Sequence, residues 1–305
     1  MRKVGFLYDE IFLRHEPPPW HPDSPERLIN IVANLKAAGL WEKLLPCKPR
    51  RASLDDVCLV HSPSYIEKIS ACGTAELDPD TYVSTDSFPA ALHAAGAVME
   101  AVDRCRQGEI ERAFCAVRPP GHHAEAGQAM GFCIINNVAV GARYARNLGY
   151  GRVFIIDFDA HHGNGTQHIF EDDDSVFYFS THQHPYYPDT GKDMDRGTGK
   201  GLGFTYNVPI AAGSGNRDYL YVYQDILPGV MHRFQPDIVL VSAGYDIHVN
   251  DPHADIRVSH EGVRAIVQSI LCCSPVPVVF TLEGGYDLAS LGDCVRITIE
   301  EMLKR

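Results

Sequence analysis

Strand-forming and helix-forming segments alternate along most of this chain, and the strand segments are apolar on both faces. Residues 153–158 (VFIIDF), 238–242 (IVLVS) and 276–282 (VPVVFTL) are the clearest of them. A strand with no polar face must be covered on both sides. When helices separate such strands, the connections are crossovers and the pairing is parallel. Shorter apolar runs at 113–117 and 176–179 extend the set. Between them the spacing predicts helices. One opens at Ser24 and Pro25, a capping side chain then a first-turn proline, carries Leu28, Ile31, Val32 and Leu35, and stops at Gly39. Others are expected over 86–106, 137–147, 217–234 with a disturbance at Pro228, 261–271 and 289–304. The expected fold is therefore α/β, a single domain over residues 1–305 with a mostly parallel central sheet and helices on both faces. Residues 181–215, rich in Gly, Pro and His, form its loop-rich part.

Three of these strands run directly into polar clusters. The strand at 153–158 leads to Asp157, Asp159 and His161, that at 238–242 to Asp246, and that at 276–282 to Glu283 and Tyr286. Ligands of open α/β sheets bind at the carboxyl ends of strands. Clusters distant in sequence can therefore converge on one point.

The residue types at that edge point to metal-assisted chemistry. In DFDAHHGNGTQ (157–167) a carboxylate and an imidazole stand two apart at a strand end, a donor pair suited to Zn²⁺ or a similar divalent ion. A buried strand ending in two Asp and two His is costly without a metal or paired partners. In RPPGHHAE (118–125) adjacent histidines follow a restricted Pro-Pro-Gly backbone, and an imidazole can take a proton from water and return it to a leaving amine. SAGYD (242–246) adds Asp246. In LEGGY (282–286) two glycines let the backbone turn tightly and bring the Tyr286 phenol over a site, where it could donate to a developing oxyanion. Taken singly, each segment also fits an ordinary polar turn.

Composition narrows the partners and the compartment. With 27 Lys and Arg against 39 Asp and Glu the formal charge is −12, the opposite of a nucleic-acid footprint. No apolar stretch approaches the ~20 residues that span a bilayer, and the apolar run before Asp9 is too short for a signal peptide. The nine cysteines are odd in number and lack a CxxC pair, as expected of reduced thiols in a cytoplasmic protein. Neither a nucleic-acid nor a membrane partner is expected, and oligomeric state is not legible.

Together with HPDSPERL (21–28), VHSPSYI (60–66) and GFCIINN (131–137), these segments resemble, in order and over nearly the whole chain, the histone-deacetylase-like amidohydrolases of the arginase/deacetylase superfamily. RPPGHH and HHGNGTQ are most similar to the class II and bacterial branches. The resemblance implies the arginase/deacetylase fold and hydrolysis of a linear acyl amide, such as acetyl-lysine or a small acetylated amine like an acetylpolyamine. It implies Asp159, His161 and Asp246 as ligands of Zn²⁺, or of Fe²⁺ in the cell, with a position left open for water and substrate. His122 and His123 would be the paired histidines, His123 the general base and acid, oriented by Asp157 and Asn164 respectively. Tyr286 would polarise the carbonyl. Phe132 and Tyr187 would wall a tunnel that Gly131 lets pass close, with Asp80 as a rim carboxylate. A structural monovalent cation, K⁺, would sit near Asp157 and Ser180.

The chain departs from that pattern at the tunnel mouth. Seven residues beyond Asp246, where relatives carry Leu or Met, and polyamine-selective ones Glu, stands His253. Tyr186-Tyr187, Asp189 and Tyr245 replace Phe-Phe, Gly and Phe, and the added hydroxyls are expected to make the tunnel wall more polar. His162 is expected to pack in the strand-end turn, and His182 and His184 to line the mouth or be exposed. Two other readings use the same sheet: a binuclear manganese ureohydrolase, which needs further carboxylates, and a non-catalytic acyl-amine sensor, which need not keep Tyr286 or every ligand.

Overall fold

The computed structural model describes residues 3–304. Ten strands form: β1 (Val4–Leu7), β2 (Leu45–Cys47), β3 (Ala75–Asp78), β4 (Thr81–Val83), β5 (Arg112–Cys115), β6 (Val153–Asp157), β7 (Val176–Gln183), β8 (Thr205–Ile210), β9 (Ile238–Ala243) and β10 (Val278–Leu282). Eight make one sheet in the order β2-β1-β5-β10-β9-β6-β7-β8, and every pair in it is parallel. β3 and β4 form a separate antiparallel hairpin. The central strands are buried along their whole length, as their two apolar faces require.

The helices fall into two groups that flank the sheet. Ser87–Arg106 and Asn137–Asn147 pack on each other and on the central strands, while Glu26–Ala37, Leu288–Leu303 and His260–Cys273 pack side by side. The alanine-rich Ser87–Arg106 is buried almost all round, so small side chains let it lie close. At Gly96 an added Cβ would lie 1.9 Å from the Arg50 carbonyl oxygen.

Three local expectations are corrected. Ser24 does not cap the first long helix, which starts after Pro25 without a side-chain cap. The helix expected over 217–234 is Asn216–Leu220, a π-helical turn Tyr221–Ile226, then Leu227–Phe234 with Pro228 in its first turn. Proline offers no N–H to the preceding turn, and the widened π turn absorbs that missing bond. The loop-rich 181–215 contains the end of β7 and all of β8, an edge strand that includes Pro209.

Candidate active site

The sheet order places β5, β10, β9 and β6 side by side. Their carboxyl ends run into residues 118–123, 283–286, 244–246 and 157–161, so the four polar segments are neighbours along one edge.

At the centre of that edge, His161 Nδ1 lies 3.0 Å from Asp159 Oδ1 and 3.0 Å from Asp246 Oδ2. The outer carboxylate oxygens are held by backbone amides: Gly284 N–H donates to Asp159 Oδ2 at 2.8 Å, and Ala160 N–H to Asp246 Oδ1 at 2.9 Å. There is no room for side chains on the flanking turns. A Cβ on Gly244 would lie 2.0 Å from Asp159 Oδ2, and one on Gly284 2.4 Å from Asp246 Oδ2. Both carboxylates are buried, and burial together with the neighbouring Asp159 charge pushes the Asp246 carboxyl up. Two buried carboxylates around one imidazole are short of positive charge. One ligand atom from each residue lies within 4.8 Å of the others. An Asp₂His donor set of this kind fits a divalent cation.

The two histidines beside it are differently partnered. His122 Nδ1 pairs with Asp157 Oδ2 at 3.0 Å. Burial alone would lower this ring, but Asp157 and Asp159 outweigh it and raise it to about 10. His123 Nδ1 pairs with Asn164 Oδ1 at 2.7 Å, while the Asn164 amide nitrogen donates to Glu125 Oε1 at 2.6 Å, which fixes the amide's orientation. Nδ1 of His123 is therefore the donor and Nε2 the free acceptor. Burial, then the neighbouring His122 and His161 charges, hold His123 well below the usual imidazole range.

A cavity of about 220 Å³ opens onto these groups, and Gly131, Phe132, Tyr187, His253, Asp80 and Tyr286 all line it. Tyr187 stands edge-on to His123 at 5.3 Å between centroids, and Phe132 edge-on to Tyr286 at 5.8 Å. Gly131 (φ +56°) is the close-approach point, because a Cβ there would lie 2.4 Å from His123 Cδ2. Asp80 Oδ1 accepts the Gly131 N–H at 3.1 Å, so this rim carboxylate also fixes the tunnel loop. The His253 ring lies 4.6 Å from that of Tyr286, and the Tyr186 hydroxyl donates to the His253 carbonyl at 3.1 Å. Asp189 adopts φ +63°, the left-handed backbone that glycine otherwise supplies.

Asp157 and Ser180 are register neighbours across β6 and β7, but both side chains are already engaged, Asp157 by His122 and Tyr178 and Ser180 by His182. His162 is buried in the strand-end turn, paired with Thr190 and Gln167. Two expectations fail. His182 is fully buried, its ring fixed between Ser180 Oγ and the Gly191 carbonyl, because β7 continues through Gln183. Tyr245 is not on the tunnel wall: its hydroxyl meets Thr298 Oγ1 at 2.9 Å in the core, so it adds no polarity to the cavity.

The residues that brace the site carried no assigned role in the sequence reading. Arg27 donates to the Glu283 carbonyl at 2.5 Å, to the Gly285 carbonyl at 2.8 Å and to Asp23 Oδ1 at 2.8 Å, and its guanidinium lies 4.9 Å from the Tyr286 ring centroid. Arg118 donates to the same Asp23 oxygen at 2.8 Å. Burial works against the Asp23 carboxylate, yet these two cations and His15 hold it well below the usual range. Glu283 Oε2 accepts the N–H groups of Gly121 and His122 at 2.7 and 3.2 Å. HPDSPERL is thus a clamp on the LEGGY turn, and LEGGY in turn holds the paired histidines. The signal was a buried-type Asp and Arg four apart on a helix start, with no partner visible in sequence.

The pattern of the histone deacetylase domain matches residues 21–302. The chain belongs to the histone deacetylase domain family. It is 38% identical over 93% of its length to a protein named "Probable deacetylase" from Archaeoglobus fulgidus, of which it spans 82%. It is 37% identical to histone deacetylase 5 of Arabidopsis thaliana and 36% identical to human polyamine deacetylase HDAC10, matching 98% and 92% of this chain. It spans only 49% and 44% of those two proteins. The crystal structure of the HDA15 HD domain superposes with a TM-score of 0.95 at 35% identity, covering 99% of this chain and 91% of that one. The parallel sheet with flanking helices is therefore the arginase/deacetylase fold.

Proposed function

We propose that this chain hydrolyses the acyl-amide bond of an acylated primary amine presented on a slender chain, either a lysine side chain or a small amine such as a polyamine. The observation that carries the reading is the convergence of the Asp159–His161–Asp246 donor set, the free Nε2 of His123 and the Tyr286 phenol on one narrow cavity. Relatives named for deacetylation support it, one of them for polyamines.

Asp159, His161 and Asp246 would hold a divalent cation, zinc in the first instance and ferrous iron as the cellular alternative. When bound, that ion supplies Lewis acidity towards the amide carbonyl and makes a water more acidic. The chain's own groups do the rest. Neutral His123 takes the proton of the attacking water at Nε2 and returns it to the departing nitrogen, so an acid and a free amine leave. His122, held cationic by Asp157, sets the local field. Burial keeps the Tyr286 phenol protonated, so it donates to the carbonyl oxygen as negative charge develops there. Phe132 and Tyr187 flank the acyl-bearing chain, and His253 stands at the mouth where the amine's remainder emerges. All nine cysteines are free thiols, which supports the reading of a reducing compartment such as the cytoplasm.

The test is turnover on an acetyl-lysine peptide, acetylated putrescine, acetylated spermidine and a trifluoroacetyl-lysine reporter, with protein as purified, after chelation and after zinc is restored. Hydrolysis that chelation removes and zinc restores is expected. Zinc binding without turnover on any substrate would replace the enzyme reading with that of an acyl-amine sensor.

A further inference from the structure

A second group of soft metal donors lies behind the catalytic edge. Among the described residues, His248, His260 and Cys294 are the other group whose ligand atoms all lie within 4.8 Å of one another. They come from three elements. His248 follows β9 two residues beyond Asp246, His260 opens the helix His260–Cys273, and Cys294 lies inside Leu288–Leu303. A short backbone ladder joins the first two, Val258 N–H donating to the Ile247 carbonyl at 3.1 Å and Val249 N–H to the Val258 carbonyl at 2.9 Å. Packing of the two helices brings in the third.

We propose that His248, His260 and Cys294 form a structural zinc site that braces the loop carrying Asp246. The imidazoles are 4.4 Å apart between centroids at 31°, and His260 Nε2 is a buried nitrogen without a hydrogen-bond partner, a cost that a metal–nitrogen bond would remove. Cys294 is fully buried and His248 nearly so, while the His260 residue is partly exposed. Two imidazoles and a thiol are the donor set of a borderline-soft ion, zinc rather than magnesium or calcium. Tetrahedral zinc asks for ligand separations of about 3.3–3.6 Å, so loading would draw the three ligand atoms, now within 4.8 Å of one another, closer together. A competing contact is the long one from the Asn250 N–H to His248 Nδ1, 3.3 Å, which binding at that ring would release. On binding, Zn²⁺ forms bonds to two neutral imidazoles and to sulfur, and the thiol proton passes to solvent.

Cobalt(II) substitution separates this site from the catalytic one, because the Asp159–His161–Asp246 set contains no sulfur. The full chain, stripped and reloaded, is expected to bind a second equivalent of cobalt with a near-ultraviolet thiolate-to-cobalt charge-transfer band. Cys294→Ala should lose that band and that equivalent while retaining the catalytic one. His260→Ala, at a partly exposed helix start, should weaken the second equivalent by more than the ~10–100-fold that loss of a mere supporting partner costs. Asp246→Ala should keep the band. Cobalt loading of the wild-type chain without a thiolate band, or a band undiminished in Cys294→Ala, would overturn the assignment whatever the catalytic result.

Discussion

Replacing Tyr286 by phenylalanine isolates one atom. The backbone N–H of Tyr286 donates to Asp251 Oδ2 at 2.6 Å, and its ring is held by Arg27, Phe132 and His253 at 4.9, 5.8 and 4.6 Å. Each of those contacts is made by backbone or ring, so Tyr286→Phe keeps them all and loses only the phenolic O–H. Stability is therefore expected to change by no more than ~0.5 kcal/mol, and metal content not at all. Losing one donor to a developing oxyanion costs ~10²–10³ in kcat, about 2.7–4 kcal/mol. Because that bond strengthens only as charge develops, kcat and kcat/KM should fall together and KM stay near its original value. Steady-state kinetics on the best substrate of the panel, metal analysis and a thermal melt measure these three quantities. A near-normal kcat with full metal content would refute the oxyanion role. A rate loss matched by metal loss would instead assign Tyr286 to the assembly of the donor set.

Three other perturbations test the scaffold around the site. Asp23→Ala leaves Arg27 and Arg118 buried without their shared counterion, so unfolding free energy should fall by about 3–5 kcal/mol, read by chemical denaturation; a loss below ~1 kcal/mol would show that the clamp is not needed. Gly131→Ala forces a side chain into φ +56° and into the His123 ring, and should cut kcat/KM by at least ~10-fold with the fold intact; unchanged kinetics would mean that the loop yields freely. His61 is buried with Nδ1 on the Glu125 carbonyl and Nε2 accepting the Asn136 N–H, and burial lowers its pKa from 6.5 to about 4. Its neutral form is the native one, so its contribution is fully present above the unfolded value and is lost as pH falls from about 6.5 towards 4, by about 3 kcal/mol in all. Denaturation with chelator present at pH 7 and pH 4.5 should show a smaller acid loss in His61→Gln than in the wild type; equal losses would sink this assignment.

The sequence by itself determined which residue types stand at the ends of which strands. A strand such as 153–158, apolar on both faces, can only be an interior strand, so Asp157, Asp159 and His161 had to emerge at a sheet edge. The tight turn at Gly284-Gly285 was legible in LEGGY, and Gly131 through the resemblance of GFCIINN, and at Gly131 and Gly284 an added Cβ would lie 2.4 Å from a neighbouring side chain. Short strands were not legible. β1 and β2 have four and three residues, too few for a period to show, and β8 carries a proline. Burial of His182 was hidden because β7 stays buried through four polar residues, Ser180 to Gln183, whose hydrogen bonds exist only in the fold. Tertiary structure alone decided the strand order: β9 and β10 are the last strands in the chain, yet they insert between β5 and β6. That insertion follows from pairing free energy between distant segments, which no local pattern encodes. It brings four loops into contact and lets Arg27, from the first long helix, hold the turn that carries Tyr286 some 258 residues later.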